Sequence, residues 1–209
     1  MALTVQTFSG GPIETNAYLV IDDARGDALV VDAPQDVGDR ILDAAEQAGA
    51  RIGLIVITHA HWDHIGDAAQ LRERTGAPLA AHPLATDRLA RPGSAVFELA
   101  EPIRPVTPDR LLHDGDTVQL GDHELRVLHL PGHDPAHIVL YSEPERIFLG
   151  GDVLFPGGHG RVDIPGSDPA TMNASLARLI DLPPDVVVYP GHGAPTTIGA
   201  EHWLQGVRR

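Results

Sequence analysis

Hydrophobic residues along the chain fall into short runs separated by longer segments of mixed polarity. Residues 52–58 and 186–189 are apolar on both faces, which predicts strands buried between layers. Apolar runs bounded by turn residues predict further strands at 3–8, 17–21, 28–32, 78–82, 118–120, 125–130, 138–141 and 146–149. We expect the first three of these to form an antiparallel meander.

Segments with helical spacing of apolar residues lie between these runs. Residues 36–48 and 63–75 are each followed by a glycine, which is typical of a left-handed C-terminal cap. A third helix is predicted after Asp168-Pro169, a pair favoured at a helix N-terminus, and a last helix at 200–207. Residues 91–110 contain four prolines, so we predict an irregular excursion there, with a lid as its suggested role.

Composition narrows the class of protein. With 209 residues and 43% hydrophobic content, residues 1–209 are expected to form one domain. The chain has no cysteine, which excludes disulfides, thiolate metal sites and a cysteine nucleophile. A net charge of −14 without a basic cluster argues against a nucleic-acid partner, and no apolar run is long enough to span a membrane. We expect a cytoplasmic protein that acts on a small molecule, and the sequence leaves a homodimer open.

Four short polar motifs come directly after predicted strands. They are THAHWDHIGD at 58–67, PGH at 131–133, GGD at 150–152 and PGH at 190–192. In layered α/β proteins, ligand sites collect at the carboxyl ends of strands, where the loops converge. We therefore expect the four motifs to share one site.

The first motif carries three histidines and two aspartates within ten residues. His59 and His61 are two apart in an extended segment, so both side chains can bind one ion from the same side. Asp63 and His64 come at the predicted start of a helix and can hold a second ion. Protonated histidines this close would repel one another, which favours neutral imidazoles bound to metal.

The other histidines are predicted to be structural or on the surface. They are His82, His113, His123, His129, His159 and His202. Asp67, one turn after Asp63, is predicted either to support a ligand or to be a solvated helix residue.

The HxHxDH arrangement at 59–64 resembles the signature of the metallo-β-lactamase superfamily. His133 in PGH, Asp152 in GGD and His192 in PGHG match the later elements in order, so the resemblance covers nearly the whole chain. It implies an α/β fold of the αββα type, a single domain in which two mixed sheets are flanked by helices. The site would lie on the shared edge of the sheets.

The resemblance also implies two divalent cations, with zinc expected and iron or manganese as alternatives. The implied ligands of one cation are His59, His61 and His133, here called the histidine trio. Those of the other cation are Asp63, His64 and His192, here called the mixed trio. The carboxylate of Asp152 would bridge the two cations. Asp63 and Asp152 are the expected catalytic carboxylates. Two adjacent cations would lower the pKa of a bridging water towards ~7 and stabilise the oxyanion formed when hydroxide attacks a carbonyl.

Two segments resemble glyoxalase II-like hydrolases within this superfamily: GPIETNAYLV at 11–20 and GHGRVDIPGSD at 158–168. The resemblance implies hydrolysis of thioesters such as S-lactoylglutathione, in which the thiolate leaves without a strong general acid. Arg161 would orient a substrate carboxylate or a neighbouring loop, with Asp163 fixing Arg161 or supporting a metal ligand. A purely local pair of Arg161 and Asp163 is the alternative.

One motif departs from the family pattern. PGHDPAHI has Asp134 where Thr or Ser is usual and Ala136 where Gly is usual. An extra carboxylate beside His133 is expected to tighten metal binding or to accept a hydrogen bond from an imidazole. His137 is expected to support the site rather than to bind metal.

Three alternatives to a thioesterase stay open at this point. A persulfide dioxygenase of the same fold would use one iron held by His59, His133 and Asp152. A lactonase would use the same two-metal site on a different ester. A metal-binding scaffold without catalysis is the alternative from a different class of protein.

Overall fold

In the computed structural model, which describes residues 3–94, 99 and 101–207, the strands form two six-stranded sheets. The first sheet has its strands in sequential order. Its first three strands are the predicted antiparallel meander, and the later strands are parallel. The strands are β1 (Leu3–Gly10), β2 (Thr15–Asp22), β3 (Asp27–Val31), β4 (Arg51–Ile57), β5 (Leu79–Ala81) and β6 (Arg110–Leu111).

The second sheet is built from the C-terminal half of the chain and is also mixed. Its order is β12-β11-β10-β9-β8-β7, with one parallel pair, β10 and β11, among antiparallel neighbours. The strands are β7 (Thr117–Leu120), β8 (His123–His129), β9 (Ile138–Ser142), β10 (Ile147–Gly151), β11 (Val187–Pro190) and β12 (Thr196–Thr197).

Helices cover the outer faces of the two sheets. The first sheet packs against α1 and α2, and the second against α4, through separate clusters of buried side chains. The helices are α1 (Gly38–Gln47), α2 (Ala68–Thr75), α3 (Thr86–Ala90) and α4 (Pro169–Ala177). This arrangement confirms the predicted αββα sandwich of two mixed sheets.

Consecutive residues of the central strands face different layers. In β2, Leu19 packs towards α1 and α2, whereas Val20 packs between the sheets. In β10, Phe148 packs towards α4 and Leu149 between the sheets. Both faces of these strands are therefore buried, which explains why their sequences are apolar without alternation.

The helix predicted at 63–75 begins later than expected. Residues Trp62–His64 form a short 3₁₀ turn, and α2 starts only at Ala68. The intervening backbone pairs with Ala33 instead of with itself: Ala33 N–H donates to the His64 carbonyl, and Asp67 N–H donates to the Ala33 carbonyl, each at 2.9 Å. This tertiary pairing overrides the helical pattern of the sequence.

The C-terminal tail also differs from its prediction. Two 3₁₀ turns, Ile198–Ala200 and His202–Gly206, replace the expected helix. The backbone of Glu201 between them has ψ 64°, which breaks any continuous helix. In the excursion at 91–110, the described residues are irregular as predicted up to β6, and 95–98 and 100 lie outside the described residues. Within the described residues, no helix has the length and apolar character needed to cross a membrane.

Candidate metal centre

Four strand ends meet at one edge of the sandwich and bring all seven predicted ligands together. Residues 59–64 follow β4, His133 lies shortly after β8, Asp152 follows β10, and His192 lies just past β11. Within each candidate group of the described chain, the potential ligand atoms lie within 4.8 Å of one another. The groups are His59, His61 and His133; His59, His64 and Asp152; and Asp63, His64 and His192.

The histidine trio has nitrogen atoms at close range. His61 Nδ1 lies 2.9 Å from His133 Nε2. The ring centroid of His59 lies 4.6 Å from that of His61 and 5.0 Å from that of His133. His133 Nδ1 lies 2.8 Å from the carbonyl oxygen of Arg161, to which it donates. That bond leaves the His133 Nε2 lone pair directed at the trio, as a metal ligand requires.

The mixed trio faces Asp152 from the other side. His64 Nε2 lies 3.3 Å from Asp63 Oδ2 and 3.4 Å from Asp152 Oδ1. His192 Nε2 lies 3.4 Å from Asp63 Oδ2 and 3.6 Å from Asp152 Oδ2. Because Asp152 Oδ2 is also 3.3 Å from His133 Nε2, this carboxylate contacts both trios.

Buried polar atoms in the cluster test whether it fits a metal. His59 Nε2, His64 Nε2 and Asp152 Oδ1 are fully buried and have no hydrogen-bond partner within the described part of the chain. Such atoms are costly unless something satisfies them. Neutral imidazole nitrogens and carboxylate oxygens are suitable ligands for zinc and for other divalent transition metals. The residues present therefore fit a metal centre.

Asp32, which the sequence analysis did not single out, connects two of the predicted ligands. Its Oδ1 accepts a hydrogen bond from Thr58 N–H, and its Oδ2 accepts from the Thr58 hydroxyl and from His64 Nδ1, all at 2.8 Å. The Thr58 oxygen, 3.0 Å from His59 Nδ1, then accepts from that imidazole. One buried carboxylate thus fixes the tautomers of both His59 and His64, with each Nε2 free for metal.

Other ligands are held by the N-terminal hairpin. His192 Nδ1 lies 3.2 Å from the carbonyl oxygen of Ile13, and the Thr15 hydroxyl donates to Asp63 Oδ2 at 2.8 Å. The sequence offered a signal for this contact only in the resemblance of residues 11–20 to a known family.

The unusual Asp134 faces the imidazole of a candidate metal ligand, His61. Its Oδ2 lies 3.4 Å from His61 Nε2, although Asp134 is the chain neighbour of His133. The carboxylate is fully buried, forms an ion pair with Arg88, and accepts a hydrogen bond from Ala136 N–H at 2.7 Å. Arg88 has no place in the sequence motifs and was not predicted.

His137 lies beside the cluster, outside the candidate ligand groups found among the described residues. Its Nε2 accepts a hydrogen bond from Asp152 N–H at 2.9 Å, and its ring stacks on His59 with centroids 4.7 Å apart. This geometry agrees with the expected supporting role.

Burial sets the protonation of two members of the histidine trio, His59 and His61. Burial, with the neighbouring imidazoles of His64 and His61 adding to it, holds the pKa of His59 well below its usual value. Burial and His133 lower the pKa of His61 to about 4. Both imidazoles are therefore neutral at pH 7 and able to bind a cation without first losing a proton.

In the mixed trio, neighbouring carboxylates raise the pKa of an imidazole instead of leaving it lowered by burial. Burial alone would lower the pKa of His192, but hydrogen bonds to Asp152 and Asp63 raise it to about 9. Burial acts to raise the pKa of Asp63, yet His64 and His192 outweigh it and lower this pKa to about 2. In the metal-free protein, protons on imidazoles thus balance the carboxylate charge on this side.

The other six histidines lie away from the candidate ligand groups of the described chain. His82 is buried and stacks on His129 with centroids 4.0 Å apart, and His123 pairs with Glu145 at 2.8 Å. Structural roles were predicted for these residues. His159, by contrast, lines the cavity next to the cluster.

A cavity of about 630 Å³ opens onto the cluster. His61, Asp63, His133, Asp152 and His192 form its floor. Its walls are mostly apolar, with two arginines and one imidazole added: Pro12, Ile13, Trp62, Phe155, Ile164, Pro165, Arg88, Arg161 and His159. Gly93 and Ser94 from the predicted lid segment also line it.

Arg161 reaches this cavity, but its guanidinium pairs with Asp163. The Nε–Oδ1 and Nη2–Oδ2 distances are 2.8 and 3.0 Å, and both side chains are about 70% exposed. The local pair considered as the alternative is therefore present, and substrate binding by Arg161 stays a prediction.

Comparison with known proteins agrees with this geometry. The profile of the metallo-beta-lactamase superfamily matches residues 10–192, which include every candidate ligand. The chain belongs to the metallo-β-lactamase superfamily. Membership places it among metallo-hydrolases, whose metal centres its His/Asp cluster matches.

Known proteins are similar to this chain over most of their length. The hydroxyacylglutathione hydrolase GloC of Haemophilus influenzae is 31% identical over 90% of this chain and 90% of its own. The solved structure of the BLEG-1 B3 metallo-beta-lactamase has a TM-score of 0.85 and 29% identity, covering 97% of this chain and 100% of its own. That of TTHA1623 in a di-iron-bound form has a TM-score of 0.77 and 35% identity, covering 94% and 96%.

Proposed function

We propose that this protein is a hydroxyacylglutathione hydrolase-like thioesterase, a metal-dependent hydrolase that acts on small thioesters such as S-lactoylglutathione. The observation that carries the proposal is the position of Asp152, whose oxygens lie 3.3 to 3.6 Å from ligand nitrogens of both trios. A carboxylate between two ligand sets suits a pair of cations that share one reaction centre.

Two bound cations would supply a nucleophile from water at neutral pH and polarise the substrate carbonyl. The chain would hold them with His59, His61 and His133 on one side and with Asp63, His64 and His192 on the other. Asp32 and the Arg161 carbonyl fix the imidazoles, so the ligand atoms need little rearrangement on binding.

The cavity supports a small, partly apolar substrate. Trp62, Phe155 and Ile164 offer surface for an acyl or thiol chain, while Arg161 is the arginine proposed to orient a substrate carboxylate. A thiolate leaving group also suits the site, because thiolates depart without a strong acid. The similarity to GloC of H. influenzae points to the same substrate class.

We propose zinc as the metal, with iron or manganese as alternatives. Histidine and carboxylate ligands suit all three. The di-iron form of TTHA1623, which is 35% identical, keeps iron in consideration.

The test combines elemental analysis of the purified protein with assays on S-lactoylglutathione, a simple lactone and glutathione persulfide. We expect about two metal ions per chain and thioester hydrolysis. One iron per chain with oxygen consumption on the persulfide would replace the proposal by a dioxygenase that uses His59, His133 and Asp152. Metal-replete protein inactive on every substrate would favour a non-catalytic scaffold.

Variants connect the activity to the cluster. His61→Ala and Asp152→Ala are expected to abolish hydrolysis and to reduce metal content. His123→Ala is the control, because His123 pairs with Glu145 in the second sheet and should leave both properties near wild type. Equal loss in all three variants would contradict the assignment of ligands.

A further inference from the structure

Among the described residues, the side chains of Arg88 and Asp134 form a pair that faces the candidate metal centre at His61. Asp134 Oδ2 faces His61 Nε2 at 3.4 Å, and the opposite nitrogen of the same ring, Nδ1, points at His133. Asp32 supports one imidazole in each half of the centre, His64 directly and His59 through Thr58, whereas Asp134 faces His61. Asp134 thus adds a support on the side of the histidine trio alone.

The pair is fixed by the surrounding structure. Asp134 has 0% side-chain exposure, and Ala136 N–H holds its second oxygen. Arg88 lies on α3, where the next residue, Leu89, is fully buried and accepts a hydrogen bond from Val106 N–H at 2.9 Å. The packing of α3 therefore fixes the backbone that carries Arg88, and the ion pair with Asp134 holds its side chain, which is 36% exposed.

A carboxylate beside a metal-binding imidazole has a known effect on that imidazole. An imidazole that binds metal through one nitrogen and donates its other N–H to a carboxylate is held in one tautomer and is a stronger ligand. A buried carboxylate with no cation beside it would be costly, and Arg88 removes that cost.

We propose that Arg88 and Asp134 act as a positioning pair for His61, which directs Nδ1 of this imidazole into the histidine trio and sets metal affinity there. The mixed trio is outside its reach. This inference rests on the metal centre of the proposed function, and it does not depend on the proposed substrate.

The test measures Zn²⁺ affinity by competition with a chromophoric chelator, together with the visible spectrum of the Co²⁺-loaded protein. In Asp134→Asn, one ion per chain should bind about 10- to 100-fold more weakly, while the other keeps its wild-type affinity. The Co²⁺ bands of one site should change accordingly. Arg88→Lys should retain most of the affinity that Arg88→Met loses.

The matched control is Asp163→Asn, which breaks a similar Arg–Asp pair at the same cavity without contacting an imidazole. It should bind both ions as the wild type does. The double variant Arg88→Gln/Asp134→Asn leaves no buried charge unpaired, so it keeps the test valid if a single variant fails to fold. It should still bind one ion weakly.

Two results would overturn the positioning role. Wild-type affinity for both ions in Asp134→Asn, or in the double variant, would show that His61 needs no such support. Parallel weakening of both ions with loss of stability in the metal-free protein would show that the pair only holds the fold together. A wild-type protein that bound no ion would instead overturn the metal centre itself, and with it the proposed function.

Discussion

At the scale of single residues, the candidate metal ligands differ from the residues that hold them in place in how they appear in the sequence. The ligands lie in compact motifs after strands. Asp32 and Arg88 lie alone in segments without a motif, and they reach the centre only because the fold brings β3 and α3 beside it. A single sequence holds no signal for such contacts, since each depends on a partner at least 26 residues away.

Replacing Asp32 tests this supporting layer. Asp32→Ala removes the acceptor for Thr58 and for His64 Nδ1, so metal affinity should fall by about 10- to 100-fold. Asp32→Asn should retain more affinity, because asparagine tolerates the left-handed backbone at this position, φ 59°, and keeps one acceptor oxygen. Competition with a chelator measures both variants. Equal affinity in wild type and Asp32→Ala would contradict the role given to Asp32.

Replacing Gly191 is a second test at the scale of single residues, and it concerns the position of Asp152. A methyl group on Gly191 would overlap Asp152 Oδ1 and approach His64 Cε1 to 2.8 Å. Gly191→Ala should therefore displace the bridging carboxylate and lower both metal content and hydrolysis. Gly158→Ala is the control, because nothing lies within 4 Å of the added group. Full metal content in Gly191→Ala would show that Asp152 can shift without cost.

At the scale of elements, the long buried strands were predictable, whereas the two-residue strands β6 and β12, the short helix α3, the start of α2 and the broken C-terminal tail were not. Strands buried on both faces have a clear apolar signature, and Gly49 and Gly76 have the predicted left-handed φ of 62° and 67°. The start of α2 depends instead on hydrogen bonds between Ala33 and the segment after the 3₁₀ turn. No periodicity in the sequence encodes that pairing.

Asp67 provides a test of how the first two helices are joined. It is neither a ligand support nor a solvated residue: its Oδ2 accepts hydrogen bonds from Val37 and Gly38 N–H, at 2.9 and 2.8 Å, and so caps α1 from outside. Asp67→Ala should lower the free energy of unfolding by about 1 kcal/mol without changing metal content. Chemical denaturation measures this change. Asp43→Ala, on the exposed face of α1, should be close to neutral, and equal losses in both would contradict the capping role.

At the scale of the whole molecule, loops from both sheets together form two chemically different halves of one centre. In the histidine trio, His59 and His61 are neutral at pH 7, whereas His192 has its pKa raised to about 9 by Asp152 and Asp63 despite burial. The αββα arrangement and the convergence of the motifs could be predicted from the sequence. The difference between the halves could not, because it arises from which carboxylate reaches which imidazole.

This difference predicts how metal binding depends on pH. Below pH 9 the metal-free His192 carries a proton that a cation must displace, so affinity at the mixed trio should rise with pH up to about 9. His61 loses its proton near pH 4, so above about pH 6 this ligand should add little pH dependence to affinity at the histidine trio. Calorimetry in buffers of different ionisation enthalpy should detect more proton release at pH 7 for the ion at the mixed trio. Equal release for both would contradict the assignment.

The central claim is that strand ends from both sheets hold two cations on either side of Asp152. The most direct measurement is an anomalous difference map, at the zinc absorption edge, from crystals of the zinc-loaded protein. We expect one peak among His59, His61 and His133 and a second among Asp63, His64 and His192, with Asp152 between them. A single peak, or peaks away from these residues, would contradict the account.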